Sequence, residues 1–338
     1  MRVLVTGITG RIGANLAAQL VERGHEVRGL VWARDARVEK LRGLGVELVE
    51  GTLTEPADVQ RVVAGMEAIY HLGGAFQGGG PFTNDEYFEI NVRGTFLVLE
   101  AARTLEGLRR LVFASTDALY DKYVPGGMTA PIDEATPRRP RGWYALSKSA
   151  GEELCQGYWR TYKLPVTTLR FSLVVGAGEI ADYPQFYVER QAARVPELAA
   201  LAALAATGGA GGAGGAAGER LVVLRDPDGR AYRKHIADVR DIVQGCVCAL
   251  DAPAASGEVF QLGGPGPFGW DEAVPYLAER LGLPYVEARL AGTPTYYEYD
   301  LSKARRLLGF RPQYDIKRMI DDAVAFKRGA AIGVLPTA

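Results

Sequence analysis

The tightest restriction on the fold lies at the start of the chain. Residues 3–5 form a short apolar, β-branched run. Thr6-Gly7-Ile8-Thr9-Gly10-Arg11-Ile12-Gly13 follows it directly and opens a helical pattern over residues 12–23. A strand that turns through glycines into a helix brings the helix's free N–H groups and positive dipole end to one point. Gly7 permits the tight turn, Gly10 lets the backbone approach a pyrophosphate, and Gly13 lets helix and strand pack closely. These glycines, with Thr9, Arg11 and Ile12 among them, are read as the seat of a dinucleotide.

The same alternation continues. Residues 27–31, 46–49, 68–72 and 111–114 read as buried strands, with helical patterns over 12–23, 35–44, 57–64 and 87–104. Residues 166–169 and 259–262 add two strands, about seven in all. This rhythm predicts an α/β chain of the Rossmann type, a doubly wound parallel sheet covered on both faces. After Gly176 the rhythm changes. Residues 183–206, 238–250, 271–281 and 301–308 read as helices, and 208–218 is a Gly/Ala tract with the composition of a flexible surface loop. The expected organisation is a cofactor-binding domain over 1–176, with a returning segment near 232–262. A smaller C-terminal substrate lobe, from 177–231 and 263–330, would lie over the carboxyl ends of the strands.

Composition excludes several classes. A formal net charge of −1 over 338 residues provides no basic field for nucleic acid or acidic membranes. The only long uncharged stretch, 198–218, is too rich in glycine to span a bilayer. The first strand runs straight into the glycine turn instead of forming a signal segment, so a cytoplasmic location is expected. Cys155, Cys246 and Cys248 are too few and badly spaced for a disulfide framework. With three histidines, none near them, no metal site is expected.

Tyr144 and Lys148 lie four apart on a predicted helix and share a face. A neighbouring ammonium favours phenolate and would draw a tyrosine from ~10 toward neutrality. Such a phenol can take a proton from a hydroxyl or return one to a carbonyl. Thr116, just past the fifth strand, could hydrogen-bond the reacting oxygen. For the cofactor, Val31 or Trp32 stands where an NAD-type ribose acid is expected. Arg11 and Arg34 suit a 2′-phosphate, although Asp35 is close enough to serve the ribose diol. The expectation is NAD(P), with a preference for NADP. Phe76 and the Gly78-Gly79-Gly80 loop are placed over the nicotinamide end as substrate contacts. His71 reads as a satisfied core residue, His235 as orienting the loop before Asp238, and Arg138-Arg139-Pro140-Arg141 as a solvated turn that could also meet a phosphate.

Taken together, these segments resemble the extended short-chain dehydrogenase/reductase family, the NAD(P)-dependent epimerase/dehydratases, over nearly the whole chain. The glycine turn, His71-Leu72-Gly73-Gly74-Ala75, Asn91-Val92-Arg93-Gly94-Thr95 and Ser115-Thr116-Asp117-Ala118-Leu119-Tyr120 carry the resemblance. So do Pro131-Ile132-Asp133-Glu134, Leu169-Arg170-Phe171-Ser172, Gly257-Glu258-Val259-Phe260, Asp300-Leu301-Ser302-Lys303-Ala304 and Leu308-Gly309-Phe310-Arg311-Pro312. The resemblance implies Tyr144 as base, Lys148 as cofactor-ribose ligand and modulator of Tyr144, and Thr116 as hydroxyl partner. It implies that Leu72, Gly73, Gly74, Asn91 and Phe171 line the cofactor site, with Thr52 and Leu53 near adenine. Asp117, Ser172 and Arg233 would face a small sugar-type substrate. It further implies a homodimer through the helices of 87–104 and 144–159.

The departures shape the functional expectation. Gly51-Thr52-Leu53 stands where the family often has Gly-Asp-Leu. Ala118 replaces the glutamate of dehydratases, which argues against elimination chemistry. Leu173 and Ala231 replace an asparagine and an arginine common in sugar-nucleotide enzymes, with Arg230 or Arg233 available after a small shift. The leading expectation is an epimerase of a sugar or sugar nucleotide that works through a transient keto intermediate. The alternative is a net NADP-dependent dehydrogenase or reductase of a sugar, hydroxy acid or alcohol. A redox sensor is a third class, disfavoured because it has no need of a tuned phenol.

Overall fold

The computed structural model describes residues 1–33, 35–78, 80–207 and 219–337, without the side chains of 204–207. Strands and helices alternate through β1 (Arg2–Thr6), α1 (Arg11–Glu22), β2 (Glu26–Val31), β3 (Glu47–Glu50), α2 (Pro56–Val63) and β4 (Ala68–His71). Then come α3 (Asn84–Tyr87), α4 (Gly94–Ala102), β5 (Arg110–Thr116), α5 (Gly142–Tyr162) and β6 (Val166–Phe171). β7 (Leu173–Val175), α6 (Val188–Gln191), α7 (Pro196–Thr207), β8 (Leu221–Arg225), β9 (Arg233–Lys234), β10 (Ile236–Asp238) and α8 (Val239–Asp251) precede β11 (Val259–Leu262). The chain continues through β12 (Phe268–Gly269), α9 (Trp270–Leu281), β13 (Tyr285–Arg289), α10 (Ser302–Leu307) and α11 (Ile316–Lys327).

The central sheet has seven strands in the order β11-β6-β5-β4-β1-β2-β3. Every pairing in it is parallel. Side-chain alternation divides its two faces. Val3 and Val5 join a core with Leu16 and Leu20 of α1 and Ile242 and Cys246 of α8. Leu4, between them, joins Val59 and Val62 of α2, Leu99 of α4 and Cys155 of α5. Burying each such aliphatic side chain contributes about 1.5–3 kcal/mol, which locks the register of strands that are apolar on both faces. The strand order reverses between β1 and β4, and that switch point opens a crevice at the carboxyl ends of the strands.

A second core lies beyond the sheet. Phe186, Phe268 and Trp270 pack edge-on and stacked, joined by Leu221, Val223, Val274, Leu277 and Ile320. Around it β8 pairs with β13, β7 with β10 and β9 with β12.

Three predicted helices differ in detail. Residues 35–44 form only a 3-10 stretch, Ala36–Leu41, capped by the Asp35 carboxylate on Arg37 N–H. The helix expected over 183–206 is broken into Pro184–Phe186, α6 and α7, because Pro184 and Pro196 cannot continue a preceding hydrogen-bond ladder. The pattern over 87–104 is interrupted by a π-helical turn, Phe88–Arg93. The 208–218 tract, Arg34 and Gly79 lie outside the described residues. Among the described residues no helix is long and apolar enough to cross a membrane, and no cluster of metal-ligating side chains occurs.

Candidate active site

The glycine turn sits at the switch point. Gly7 has φ +70°, and a Cβ there would come within 2.8 Å of the Gly73 backbone. A Cβ on Gly13 would lie 2.2 Å from the Gly7 carbonyl oxygen. Gly10 precedes α1 and places no capping side chain over it, so the first N–H groups of the helix face the crevice. The Thr6 hydroxyl binds Gly73 N–H at 3.0 Å and His71 Nδ1 at 2.9 Å, tying the β1 and β4 loops together. Leu72, Gly73 and Gly74 therefore stand beside Gly7, as predicted. Asn91 lies in the π-helical turn. Its Oδ1 accepts from Ala75 N–H at 2.8 Å, and its Nδ2 donates to Ala75 O and to Ser147 Oγ, bracing the β4 loop against α5. Leu53 packs against Gly73. Thr52 N–H donates to the Asp58 carboxylate at 3.0 Å, and Asp58 also pairs with Arg61.

The catalytic candidates converge next to this turn. Thr116 ends β5, Tyr144 lies in the first turn of α5, and Lys148 is one turn further on, buried. Ser147 Oγ donates to the Tyr144 carbonyl at 2.9 Å. Burial pushes the Tyr144 phenol up to about 12, opposed by a hydrogen bond with Thr116 and reinforced by the charge of Asp117. Burial also draws Lys148 down to about 8, and its ammonium lies 4.3 Å from the Phe113 ring centroid. This corrects the expectation that Lys148 draws the phenol to neutrality: Lys148 is not among the groups that shift the phenol, which is set by burial, Thr116, Asp117 and Tyr87.

The remaining substrate-side residues are scattered by comparison. Asp117 is buried and paired with Lys122 Nζ at 2.5 Å, and it accepts from the Tyr299 hydroxyl. Phe171 ends β6 opposite Thr116. Ser172 is buried, and its Oγ has no hydrogen-bond partner among the described residues. Phe76 is exposed. Arg233 pairs with Glu298 at 2.6 Å. His71 is a core residue between Thr6 and Thr95. His235 braces the Gly264 carbonyl and Tyr299 N–H. Arg138 joins Glu152, which also holds Arg170, whereas Arg141 is exposed and pairs with Asp121.

The model of the NAD dependent epimerase/dehydratase family matches residues 3–263. This chain belongs to that family. It is accordingly an NAD(P)-dependent enzyme of the epimerase/oxidoreductase kind. A UDP-glucose 4-epimerase of Corynebacterium glutamicum is 29% identical across 96% of this chain and 95% of its own length. A short-chain dehydrogenase/reductase superfamily protein of Agrobacterium tumefaciens with bound NAD shows 32% identity and a TM-score of 0.81, covering 97% of this chain and 98% of that one. A Bacillus cereus UDP-glucuronic acid 4-epimerase, in complex with UDP-glucuronic acid and NAD, shares the fold at 19% identity and a TM-score of 0.72, over 97% of this chain and 99% of its own.

Within this family member the expected preference for NADP is not supported. Arg11 is engaged by other partners: its guanidinium pairs with Glu179 at 2.8 Å and donates to Val174 O at 2.9 Å. Asp35 instead reaches the glycine turn, accepting from the Thr9 hydroxyl at 2.8 Å. Hydrogen bonds from Arg37 hold its carboxyl down at about 2, so it is ionised. Sequence reasoning also missed Lys122, Tyr183, Lys234 and Tyr299. They come from four separate segments, and only their spatial convergence marks them.

Proposed function

We propose that this chain epimerises a sugar or sugar nucleotide with NAD, through a transient keto intermediate. The convergence of Thr116, Tyr144 and Lys148 at the carboxyl end of β5, beside the glycine turn, carries the reading. The residues suit a dinucleotide: Gly7 and Gly13 let β1, the β4 loop and α1 close to backbone contact, and the start of α1 carries no capping side chain, which leaves its N–H groups for a pyrophosphate. Gly7, Thr9, Gly10, Ile12 and Gly13 would hold the pyrophosphate, and the ionised Asp35 the adenosine ribose diol, which a 2′-phosphate would repel. Thr52, Leu53 and Asp58 would flank adenine, and Leu72, Gly73, Gly74 and Phe171 the rest of the dinucleotide. Lys148 would donate to the nicotinamide ribose, and Asn91 would keep Ser147 and the β4 loop in place. When bound, the oxidised nicotinamide would take up and return a hydride and bring a positive charge that favours the phenolate.

Thr116 would hydrogen-bond the reacting oxygen while Tyr144 takes the hydroxyl proton at its phenol oxygen and later returns it. Turning of the keto sugar between the two transfers would invert one carbon. The segments around the second core would hold the sugar, with Phe76, Asp117, Ser172 and Arg233 toward it, and the chain would pair as a homodimer through α4 and α5.

Incubation of purified protein with UDP-glucose and with UDP-glucuronate, followed by chromatography of the products, tests the reading. It predicts an epimeric sugar with no added cofactor and no net change in nicotinamide absorbance. Stoichiometric consumption of added cofactor would instead establish a net dehydrogenase. That second reading is favoured by Leu173, which is partly exposed, and Ala231, where the family's sugar-nucleotide enzymes carry polar side chains.

A further inference from the structure

A cluster of buried charge adjoins the proposed catalytic phenol. Lys122 follows β5, and Lys234 ends β9, which pairs with β12; both ammonium-bearing side chains are buried. Lys122 Nζ pairs with the Asp117 carboxylate and lies 3.2 Å from the Tyr299 hydroxyl. Among the described residues no carboxylate pairs with Lys234, and its acceptors are the Tyr183 hydroxyl and, at 3.3 Å, Gln185 Oε1. That amide oxygen already accepts from the Tyr183 hydroxyl at 2.7 Å. An ammonium has three N–H donors, so one is left without an acceptor among the described residues.

The charges do not balance. Two ammonium groups share one carboxylate, and Arg233, next to Lys234, is paired with Glu298. Tyr183 and Tyr299 are held in their neutral forms by burial, so neither phenol supplies the missing negative charge. Burial, with the charge of Lys122, draws Lys234 down to about 7. A buried charge of this kind is costly unless a counter-ion completes it. Asp117 connects the cluster to the chemistry: it follows Thr116 directly, and its charge acts on Tyr144 as well as on Lys234.

We propose that Lys234, with Lys122 behind it, forms the subsite for a carboxylate on the sugar, so that the substrate is an acidic sugar of the hexuronate kind. One excess positive charge matches a monoanionic carboxylate better than a dianionic phosphate ester. Tyr183 and Ser172, whose buried Oγ lacks a partner, stand on the elements flanking this position and provide hydroxyls for a polar ring. The inference rests on the reading that a sugar is bound at Tyr144.

Binding and turnover are measured separately, on NAD-loaded protein, with matched pairs that differ only in the acid group: glucuronate against glucose, free and as their uridine diphosphate esters. Calorimetry on the wild type is expected to favour the acid by about tenfold or more, the size of hydrogen bonds to a charged group. Lys234→Met is expected to cut that acid-to-neutral ratio at least about tenfold, and Lys234→Arg to retain most of it. The bound NAD content reports that each variant is folded. A preference for the acid without epimerisation supports the carboxylate subsite and refutes the proposed reaction. Epimerisation with no acid preference, or a ratio unchanged in Lys234→Met, overturns the subsite alone. Absence of binding and turnover on both pairs overturns both.

Discussion

Replacing Lys148 with methionine should stabilise the protein while disabling it. Burial lowers the Lys148 pKa from 10.5 to about 8. At pH 7 that shift of roughly 2.5 units, at 1.36 kcal/mol each, corresponds to about 3 kcal/mol of lost stability. The contact of the ammonium with the Phe113 ring at 4.3 Å returns about 0.5–2 kcal/mol of it. The net gain on removing the charge is then about 1–3 kcal/mol. At ~2.1 cal/mol/K of unfolding entropy per residue, this length gives a rise in Tm of about 1–4 °C. The sign over pH follows from proton counting. Because the folded pKa lies below the unfolded one, the unfolded chain binds more protons between pH 8 and 10.5, and wild-type stability rises through that window. The penalty is complete below pH 8 and gone above 10.5. Urea unfolding of wild type and Lys148→Met, both stripped of nicotinamide, at pH 7 and pH 10 reads the difference directly. The variant should be the more stable at pH 7, with a gap that shrinks to about 1 kcal/mol or less at pH 10. A variant less stable at pH 7, or a gap that ignores pH, would refute the reasoning.

Two further outcomes concern the cofactor seat. Gly13→Ala places a Cβ 2.2 Å from the Gly7 carbonyl oxygen, so the turn must shift; bound NAD in the purified protein should fall at least about tenfold, as measured by release and chromatography. Asp35→Ala removes an ionised carboxylate beside Thr9, and NAD affinity by calorimetry should weaken about tenfold to a hundredfold while NADP binding weakens less. Unchanged NAD affinity in that variant would remove Asp35 from the ribose site.

The legible parts of the molecule are those written over short spans. The turn from Thr6 to Gly13 declares itself because strand, glycines and helix are contiguous, and the pairing of Tyr144 with Lys148 needs only one helical turn. The alternation of apolar runs with helical patterns is enough to predict a parallel sheet, since each strand of such a sheet is buried on both faces. The parts that were not legible depend on long-range partners. Arg11 suits a phosphate until the chain brings up Glu179, which captures it. Asp35 is near enough in sequence to serve the ribose diol, but only its contact with the Thr9 hydroxyl sets it apart from the neighbouring arginines. The 3.6-residue pattern over 183–206 is real, but Pro184 and Pro196 divide it. The Lys122–Lys234 cluster joins segments far apart in the chain, and no local spacing announces it. Spacing brings Tyr144 and Lys148 to one helix face, but it does not reveal the burial that pushes the phenol up.

Tyr144→Phe tests the central claim most directly, since it removes one hydroxyl and leaves the ring packed. Bound NAD and the turnover of whichever sugar the wild type converts are measured on the same preparation. The account predicts NAD content equal to wild type and turnover reduced by about a hundredfold or more, the usual contribution of a positioned acid–base group. Turnover within a few-fold of wild type would contradict it, because the phenol at the end of β5 would then have no part in the reaction.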